Sequence, residues 1–574
     1  MNFWTSPDLL PPEIELLVRR WALPAERVDD VKQLLAAQAE GGTAWVLPAS
    51  STTGPGGWGA ACQVVGPGGS QGNDAPPAAT PLVLRHHAGL PHLQSWRYFQ
   101  AEQTIAQRLL ARSALPAPAL PRDSATLVAE LGPNQVNPQQ ARAIACALDH
   151  TLALITGGPG TGKTYTLARL LALLIAARAG ARVDIRLAAP TGKAAERMRE
   201  AVDAAADQLP ASLPTGVREA LRATARSAST LHKLLGFNPG TGHCRYTSET
   251  PLQCDVLIVD ECSMVDTLQW QALLAALPPT ARLILLGDPH QLESVAAGDV
   301  LGCLVRRARA RPDSPLGRIW VELTDSHRFR ERAGIGALAA AVVNLRADDA
   351  VALLAARRLA AGDAPPTDGL TWLGDHAGRF QWGRLPQSVQ LALLAVADAP
   401  TPQEALAALG RVRLLTAHRE NLMGAAGIND AIQRELLRRA AGERAPNEPI
   451  IINHNDPETG LTNGSVGVVM ESGGARAAYF PAAASDAAPR KVPLGQLPEH
   501  SPAWAMTIHR SQGSEFDQVV VILPAHESPL ATRELIYTAV TRARQCVHVW
   551  GGEATVRAAL GERALRCTLL EASL

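Results

Sequence analysis

An apolar run, Leu152-Ala153-Leu154-Ile155-Thr156, leads directly into Gly157-Gly158-Pro159-Gly160-Thr161-Gly162-Lys163-Thr164, and this stretch decides the fold. A strand that opens a helix through such a glycine-rich turn is the context of a P-loop. The glycines let backbone N–H groups turn toward a β-phosphate at the positive end of the helix. We expect Lys163 to reach the β- and γ-phosphates and the Thr164 hydroxyl to bind Mg²⁺. The predicted cofactors are therefore ATP and Mg²⁺, and the predicted binding loop is Gly157, Gly158, Pro159, Gly160, Thr161, Gly162, Lys163 and Thr164.

Polar residues follow two further apolar runs on the C-terminal side of this loop. Asp260 and Glu261 come directly after residues 256–259, and a buried strand that ends this way delivers both carboxylates beside the P-loop. We expect Asp260 to hold Mg²⁺ through its waters and Glu261 to orient and deprotonate the attacking water. Gln291, which follows the run at 283–286, is a candidate γ-phosphate sensor, because an amide can both donate to phosphate and accept from water.

The alternation of apolar strands with helices from about residue 131 to 330 predicts a parallel sheet covered on both faces. A second set of short apolar runs, at 413–416, 519–523 and 546–550, follows a helical stretch and predicts a second sheet. Between them, residues 449–492 have β character with turns at Gly460, Asn463-Gly464 and Gly473-Gly474, so we expect a small all-β insert. The predicted fold class is α/β.

Composition excludes several kinds of protein. The 574 residues are 47% hydrophobic, which is enough for sizeable cores, and 54 basic residues balance 54 acidic ones. The chain therefore lacks the overall positive field of a histone-like binder, and nucleic acid would have to bind at local patches. The eight cysteines contain no Cys-x-x-Cys pair, which argues against a zinc knuckle, an iron–sulfur cluster or a disulfide framework. With neither a signal segment nor a membrane span in the pattern, we predict a cytoplasmic protein.

The first 125 residues give weaker signals. Helical periodicity at 12–37 and 96–111 predicts a mainly helical unit, and the Gly/Pro/Ser/Thr-rich segment at 50–81 predicts a surface loop. Trp96, Tyr98 and Phe99 cluster in a chain that is only 4% aromatic. Either core packing or a partner-protein surface explains that cluster. The arginine-rich run at 306–311 is interpreted as a solvated helix face rather than a DNA track.

Several segments resemble the motifs of superfamily-1 helicases. Those that resemble motifs II and III are Asp260-Glu261-Cys262-Ser263-Met264 and Gly287-Asp288-Pro289-His290-Gln291-Leu292. Those that resemble the adenine-reading glutamine motif, motif Ia and the short motif before a pin-like hairpin are residues 137–140, 189–195 and 230–236. In the C-terminal half, residues 324–329, 507–516 and 537–544 resemble motifs IV, V and VI.

The helicase resemblance assigns roles to individual residues. It implies that Gln140 reads adenine, that Glu515 touches the ribose, and that Arg328 and Arg542 are arginine fingers from across the cleft. A guanidinium brought from a second domain makes hydrolysis depend on closure of the cleft. The implied catalytic set is Lys163, Glu261, Gln291, Arg328 and Arg542. Hydroxyl, imidazole and ammonium groups suit DNA phosphates, and such contacts do not identify the bases. The residues that would supply them are Thr191, Lys193, Thr230, His232, Thr507, His509 and Ser511.

Over residues 82–574 the chain is identified as a member of the RecD family, the α subunits of exodeoxyribonuclease V, within the B-type superfamily-1 helicases. The resemblance implies an N-terminal partner-binding unit (1–125), a RecA-like domain 1A (126–330) and a RecA-like domain 2A (331–574). It places a small 1B hairpin within 237–252, with residues 244–252 as the candidate pin. It also identifies the β insert, at about 445–500, as an SH3-like 2B domain.

The family resemblance implies an ATP-dependent 5′→3′ translocase and helicase on single-stranded or tailed duplex DNA. It implies RecB-like and RecC-like partners in a heterotrimer that acts in double-strand break repair, recombination and DNA degradation. No nuclease site is expected, because only Asp30-Val31-Lys32 has Asp-x-Lys spacing and it lies in a predicted amphipathic helix. The alternatives are a stand-alone long-form RecD-like or TraA-like helicase and a nucleotide-switched binding module. The lack of a long N-terminal helix-hairpin-helix extension favours the complex subunit.

Overall fold

The computed structural model describes residues 23–24, 27–47, 58, 62–65, 81–88, 90–178, 183–359, 367–440, 445–472, 475–482, 488–561 and 566–574. The predicted loop at 50–81 lies outside these residues, apart from Trp58, Cys62–Val65 and Pro81. The beginning of the helix predicted from residue 12 and the turn predicted at Gly473-Gly474 also lie outside them.

The described part of the N-terminal unit contains a four-stranded sheet and two helices. Its strands, in the order β1-β4-β3-β2, are β1 (Ala44–Val46), β2 (Cys62–Val65), β3 (Leu82–His87) and β4 (Leu90–Ser95), and its helices are Val28–Ala39 and Trp96–Ala114. Leu34, Trp58 and Leu93 are buried in its core. The expectation of a mainly helical unit did not include this sheet. Pro91 and the buried polar residues of β4 obscure the alternation by which a strand is recognised.

The first motor domain is built on a six-stranded parallel sheet in the described chain. In chain order the strands of this region are β5 (Leu152–Gly157), β6 (Ile185–Ala189), β7 (Ser229–Thr230), β8 (Phe237–Asn238), β9 (His243–Cys244), β10 (Val256–Val259), β11 (Arg282–Gly287) and β12 (Trp320–Leu323). The sheet order is β12-β5-β11-β10-β6-β7. The helices are Ser124–Ala129, Pro138–Asp149, Lys163–Ala177, Gly192–Asp207, Gly216–Ala225, Leu231–Leu235, Thr267–Ala276, Val300–Ala310 and Pro315–Arg318. Every residue of β5, β10 and β11 is buried, as expected for a sheet covered on both faces.

The small hairpin lies earlier in the chain than the predicted pin at 244–252. It consists of β8 and β9, which pair through Phe237 and Cys244, and Gly242 has a left-handed φ of 71° in the turn. The pairing continues for two residues, since the N–H groups of Arg245 and Tyr246 donate to the carbonyls of residues 236 and 235, each at 3.2 Å. It does not reach Leu252, which is buried in the domain core and donates its N–H to the carbonyl of Ala276. The hairpin lies within the predicted range 237–252, and only the narrower pin at 244–252 was wrong, because the turn 239–242 is the stronger glycine-containing signal.

The second motor domain has a five-stranded parallel sheet and a five-stranded antiparallel insert within the described residues. In chain order the strands are β13 (Leu370–Gly374), β14 (Val412–Thr416), β15 (Glu448–Ile452), β16 (Val466–Ser472), β17 (Ala475–Phe480), β18 (Arg490–Pro493), β19 (His500–Pro502), β20 (Ala505–Thr507), β21 (Phe516–Ile522) and β22 (Ala543–Trp550). The parallel order is β13-β22-β21-β14-β20, and the insert order is β18-β17-β16-β15-β19. The helices are His327–Glu331, Ala333–Val343, Ala347–Ala355, Gln387–Ala397, Pro402–Leu409, Ala425–Arg439, Arg533–Val540, Glu553–Gly561 and Leu570–Ser573. The fold class is thus α/β, with two RecA-like sheets and a small β insert.

Direct hydrogen bonds join the two motor domains. The Leu292 N–H, beyond β11, donates to the Thr538 hydroxyl at 2.8 Å, and the Gln512 side chain donates to the Leu292 carbonyl at 3.2 Å. The chain also crosses from β12 to the P-loop, where the Ser326 hydroxyl donates to the Pro159 carbonyl at 3.0 Å. The loops that follow the strands of both sheets therefore meet in one cleft.

Two further sequence expectations concern surfaces. Arg306 pairs with Asp299 and Glu571, and Arg309 pairs with Glu322, so these arginines of the 306–311 run are held in ion pairs on the helix surface. This agrees with the interpretation as a helix face. Among the described residues, no helix combines the length and apolarity that a membrane span requires.

Candidate nucleotide site and DNA-facing loops

The P-loop has the backbone that its glycines predict. Gly160 and Gly162 have left-handed φ values of 75° and 84°, and a Cβ on Gly160 would lie 2.6 Å from the Cβ of Arg328. The Lys163 ammonium donates to the carbonyl oxygens of Gly157 at 2.5 Å and Gly158 at 3.1 Å. The helix begins at Lys163, so its N–H groups open toward the cleft.

A cavity of about 250 Å³ lies between the P-loop and the second motor domain. All five predicted catalytic residues line it, together with the two predicted metal ligands. From the first domain these are Lys163, Thr164, Asp260, Glu261 and Gln291, and from the crossing segment and the second domain Arg328 and Arg542. Glu515, the predicted ribose contact, lines the cavity as well. The P-loop residues Gly158, Pro159, Gly160 and Gly162 also line it, whereas Gly157, Thr161 and Gln140 are not among its lining residues. The structure therefore brings residues from both sheets around one small space.

The paired carboxylates differ in backbone. Glu261 has a left-handed φ of 53°, uncommon for a residue with a side chain, and its N–H donates to Asp260 at 2.8 Å. Burial, and then the neighbouring Glu261 carboxylate, raise the pKa of Asp260, while Lys163 opposes the rise. The Asp260 carboxylate and the Thr164 hydroxyl are oxygen donors that fit Mg²⁺, which typically takes one or two protein carboxylates and fills its shell with water and phosphate.

Arg542 spans the cleft from the second domain to Gln291. It is 2% exposed, and its guanidinium donates to the side-chain oxygen of Gln291 and to the carbonyls of Ser514 at 3.3 Å and Thr538 at 3.2 Å. Burial lowers the pKa of this arginine. The Gln291 amide in turn donates to Asp288 at 3.0 Å. Arg542 and the candidate γ-phosphate sensor therefore form one connected polar chain.

Glu515 is the centre of an arginine cluster. Its carboxylate pairs with Arg197 at 2.8 Å, with Arg328 at 2.8 Å and with Arg544 at 3.2 Å. Burial acts to raise the pKa of Glu515, but Arg197 and Arg328 outweigh it and hold the pKa well below its usual value. Sequence reasoning missed Arg197 and Arg544. The available signal for Arg197 was its position four residues after Lys193, on the same face of one helix.

Gln140 has a structural role beside its predicted one. Its side-chain oxygen accepts from the Asn137 N–H at 3.1 Å, and Asn137 accepts from the Gln140 N–H at 2.8 Å, which forms a capping box at the start of a helix. The side chain is buried against Gly162. The adenine-reading role stays a prediction.

Tyr165, which the sequence did not single out, lines the nucleotide cavity. Its hydroxyl donates to the Gln135 carbonyl at 2.8 Å, and the Arg169 guanidinium lies 3.2 Å from its ring centroid. Arg169 therefore packs on one face of the ring, and the hydrogen bond to Gln135 fixes its hydroxyl end. An aromatic directly after a P-loop threonine is a usable sequence signal once the helix is known to border the cavity.

The predicted DNA-contacting residues take different positions. Thr191 and Thr230 cap helices by accepting from the N–H groups of Ala194 and Lys233, each at 3.2 Å. The rings of His232 and Phe237 pack edge to face with centroids 5.0 Å apart, which places His232 against the hairpin.

The remaining predicted contacts lie nearer the second motor domain. Thr507 ends β20 and lines a small cavity with Arg419 and Arg510. Partial burial and the nearby Arg566 lower the pKa of His509.

Two of the predicted DNA contacts are less accessible. Ser511 is completely buried, and its hydroxyl donates to the Ile508 carbonyl at 2.7 Å, so the expected contact of this side chain with DNA is wrong for this conformation. A short helical turn, His509–Ser511, turns the serine inward. Burial lowers the pKa of Lys193 to about 7, and Arg413, Arg197 and Arg542 add to the effect. Lys193 therefore lies close to the arginines of the nucleotide cavity.

Comparison with known proteins finds two regions that match family models and several relatives that align with most of the chain. Residues 140–297 match a family model described as an AAA domain, and residues 502–550 match the UvrD-like helicase C-terminal domain. The RecBCD enzyme subunit RecD of Mycolicibacterium smegmatis is 39% identical over 504 residues, covering 86% of this chain and 84% of that protein. The ATP-dependent RecD2 DNA helicase of Deinococcus radiodurans is 30% identical, covering 79% of this chain and 54% of that protein. The crystal structure of Pif1 helicase from Candida albicans is 16% identical with a TM-score of 0.39, covering 73% of this chain and 96% of that one.

Proposed function

The chain belongs to the RecD family of ATP-dependent DNA helicases, and from that premise we propose that it is the 5′→3′ single-strand translocase of a RecBCD-type exodeoxyribonuclease V. The single observation that carries the mechanism is the contact of Arg542 with Gln291 across the cleft. An arginine finger that reaches the site from a second domain makes hydrolysis depend on the approach of the two domains.

Each residue around the cavity has a role in this proposal. Lys163 and the P-loop N–H groups bind the β- and γ-phosphates of ATP, and Glu261 holds the attacking water and accepts its proton. Arg542 and Arg328 stabilise the charge that develops on the γ-phosphate. Thr164 and Asp260 hold Mg²⁺, which supplies Lewis-acid neutralisation of the phosphate oxygens when bound.

DNA would lie across loops of both motor domains. The proposed contacts from the first domain are Thr191, Lys193, Thr230 and His232, and those from the second are Thr507 and His509. Hydroxyl, imidazole and ammonium groups suit phosphates and do not discriminate bases. The cleft would close on ATP and reopen after hydrolysis, so that the two sets of residues bind the strand in turn. The family resemblance implies that the strand moves by about one nucleotide per ATP.

RecB-like and RecC-like partners are proposed because relatives over most of the chain are named as RecBCD subunits. The N-terminal unit would contact a partner with the half-buried Trp96 and Phe99, whose ring centroids lie 5.2 Å apart. In such an assembly the chain would serve double-strand break repair, recombination and DNA degradation in the cytoplasm.

We propose that the nuclease belongs to a partner. Asp30 of the one Asp-x-Lys sequence pairs with Arg27 at 3.2 Å, and Lys32 pairs with Asp29 at 3.3 Å. The first ion pair is buried and the second lies on the helix surface, and within the part of the chain that the structure describes no cluster of metal-binding carboxylates accompanies the lysine.

Unwinding of 5′-tailed and 3′-tailed duplexes tests the polarity, with the chain alone and with proteins that co-purify from native cells. The proposal expects ATP-dependent unwinding of the 5′-tailed duplex and large co-purifying subunits. Preference for the 3′ tail would contradict the proposed polarity. Full unwinding by the isolated chain, with no associated subunits, would favour the stand-alone alternative, which the 30% identity to the Deinococcus radiodurans helicase motivates.

A further inference from the structure

Arg566, in the C-terminal segment of the chain, contacts the first motor domain. Its guanidinium pairs with Glu293 at 2.8 Å and donates to the carbonyls of Ala296 and Gly298, each at 3.0 Å. A further contact reaches the Ser294 hydroxyl at 3.3 Å. One side chain therefore contacts four residues of the loop 293–298, which begins two residues after Gln291.

The same segment is attached to the N-terminal unit. The carbonyl of Cys567, the next residue, accepts from the N–H groups of Thr43 at 2.8 Å and Ala44 at 3.1 Å. Gly41 has a left-handed φ of 93°, and a Cβ there would overlap the Arg566 guanidinium. The Gly41 carbonyl also accepts from the Gly298 N–H at 2.8 Å. The N-terminal unit, the 293–298 loop and Arg566 therefore form a single packed junction.

The loop held by Arg566 begins beside the nucleotide site and has an exposed tip. At its beginning, Gln291 contacts Arg542, and the backbone of Leu292 is bound on both sides by the second domain. At its tip, Val295 is 78% exposed, although Ser294 before it is only 3% exposed. The Arg566 charge also lies close enough to His509 to lower the pKa of that imidazole.

We propose that Arg566 is a positioning residue that locks the 293–298 loop to the N-terminal unit, so that movement of the second domain at Leu292 is transmitted to the DNA-facing side. This inference rests on the proposed single-stranded DNA translocase. A loop anchored at one end by Arg566 and displaced at the other by Leu292 changes the position of its exposed tip, whereas an unanchored loop absorbs the displacement. Arg566 would thereby set how strongly DNA accelerates ATP hydrolysis, without contacting the nucleotide.

ATP hydrolysis by the full chain, measured with and without a single-stranded oligo-dT, tests this role. We would compare Arg566→Ala, Arg566→Lys and Gly41→Ala, with Arg557→Ala as the matched control. Arg557 is an arginine of the neighbouring helix that pairs with Glu553 at 2.9 Å on the surface. Melting temperatures show that each variant is folded. The Lys and Gly41 variants keep the test valid if the alanine variant does not fold.

The expected result is a loss of about tenfold in DNA stimulation for Arg566→Ala and Gly41→Ala, with the KM for ATP within about twofold of the parent chain. Arg566→Lys should fall between, because it keeps the charge opposite Glu293 but loses the planar fork that reaches the two carbonyls. A variant that combines Arg566→Ala with Gly41→Ala should lose no more than about twofold in DNA stimulation beyond either single change, since both changes act on one junction.

Stimulation of Arg566→Ala within about twofold of the parent chain would overturn the inference. A rise in the KM for ATP together with equal losses of basal and stimulated rates would overturn it as well, because general damage to the site produces that pattern. If the parent chain itself shows no DNA stimulation, the proposed function fails first, and the two failures are thus distinguishable.

Discussion

The guanidinium of Arg328 and the carboxylate of Glu515 lie 2.8 Å apart in the cleft between the motor domains. Arg328 is one of the two arginines expected at the γ-phosphate, so its present partner is an anion that belongs to the protein. The phosphate would have to compete with Glu515 for this guanidinium. Because Glu515 also pairs with Arg197 and Arg544, it keeps two cations when Arg328 turns to the phosphate. The Glu515 carboxylate therefore stays paired when Arg328 moves from it to the phosphate.

Replacing the P-loop lysine separates ATP chemistry from DNA binding. Lys163→Gln is expected to abolish DNA-stimulated ATP hydrolysis, because Lys163 supplies the ammonium at the phosphates. DNA binding, measured by fluorescence anisotropy, should be largely kept, because Lys163 is not one of the residues proposed to contact DNA. Lys491→Gln, on the exposed strand β18, is the matched control and should hydrolyse ATP like the parent chain. If Lys163→Gln hydrolyses ATP at a rate within a few-fold of the parent chain, Lys163 is not the residue that binds the phosphates.

Arg542→Ala tests the arginine finger. Its turnover should fall by about 10³ while ATP binding stays normal, as for other arginine fingers. Arg542 is 2% exposed and contacts Gln291, so its loss also leaves the Gln291 oxygen without this donor. Single-turnover hydrolysis with separately measured nucleotide affinity distinguishes chemistry from binding. Arg438→Ala, a surface arginine that pairs with Glu435, serves as control. A loss of less than about tenfold would exclude the finger role.

The arginine cluster around Glu515 predicts a specific pH dependence of stability. Because the pKa of Glu515 is depressed in the folded chain, its stabilising contribution is complete above its ordinary pKa of 4.5 and is lost only as the pH falls through the depressed value. Glu515→Gln removes this contribution at every pH. We expect the variant to be about 2 kcal/mol less stable from pH 7 to pH 5, with the difference shrinking below pH 4.5.

Urea unfolding at a series of pH values measures the difference between the parent chain and Glu515→Gln. Glu435→Gln is the matched control, since that carboxylate also pairs with two arginines but lies on the surface. It should change stability by less than about 1 kcal/mol. A stability difference for Glu515→Gln that grows toward low pH would contradict the depressed pKa.

The parts of the molecule that follow from periodicity and from phosphate chemistry were predictable from the sequence. The strand before the P-loop, the strand before Asp260 and the parallel order of the first sheet follow from apolar runs between helices. The second sheet and the β insert follow from the same signals. Arg328 and Arg542 were expected near the P-loop by resemblance, and both line its cavity.

What the sequence did not reveal depends on side chains that meet through tertiary structure. β4 contains Pro91 and buried polar residues, so its pattern does not identify a strand. The inward turn of Ser511 depends on a three-residue helical turn, which single-sequence patterns do not resolve. Arg566 lies far along the chain from Glu293, and no local spacing joins them. Such pairs become visible only when the fold brings them together.

Tyr165 provides the final test, because its ring borders the nucleotide cavity and is held by Arg169 on one face. If the ring packs on the nucleoside, Tyr165→Leu removes a contact that is equally strong in the bound substrate and in the transition state. Such a loss raises the KM for ATP and leaves kcat nearly unchanged. We expect the KM to rise about tenfold, because an aromatic contact contributes roughly 1–1.5 kcal/mol and a loss of that size corresponds to about a factor of ten in affinity. Tyr165→Phe keeps the ring and loses only the hydrogen bond to Gln135, so its KM should stay within about threefold of the parent value. A fall in kcat at constant KM for Tyr165→Leu would show instead that the ring supports the catalytic geometry of the P-loop.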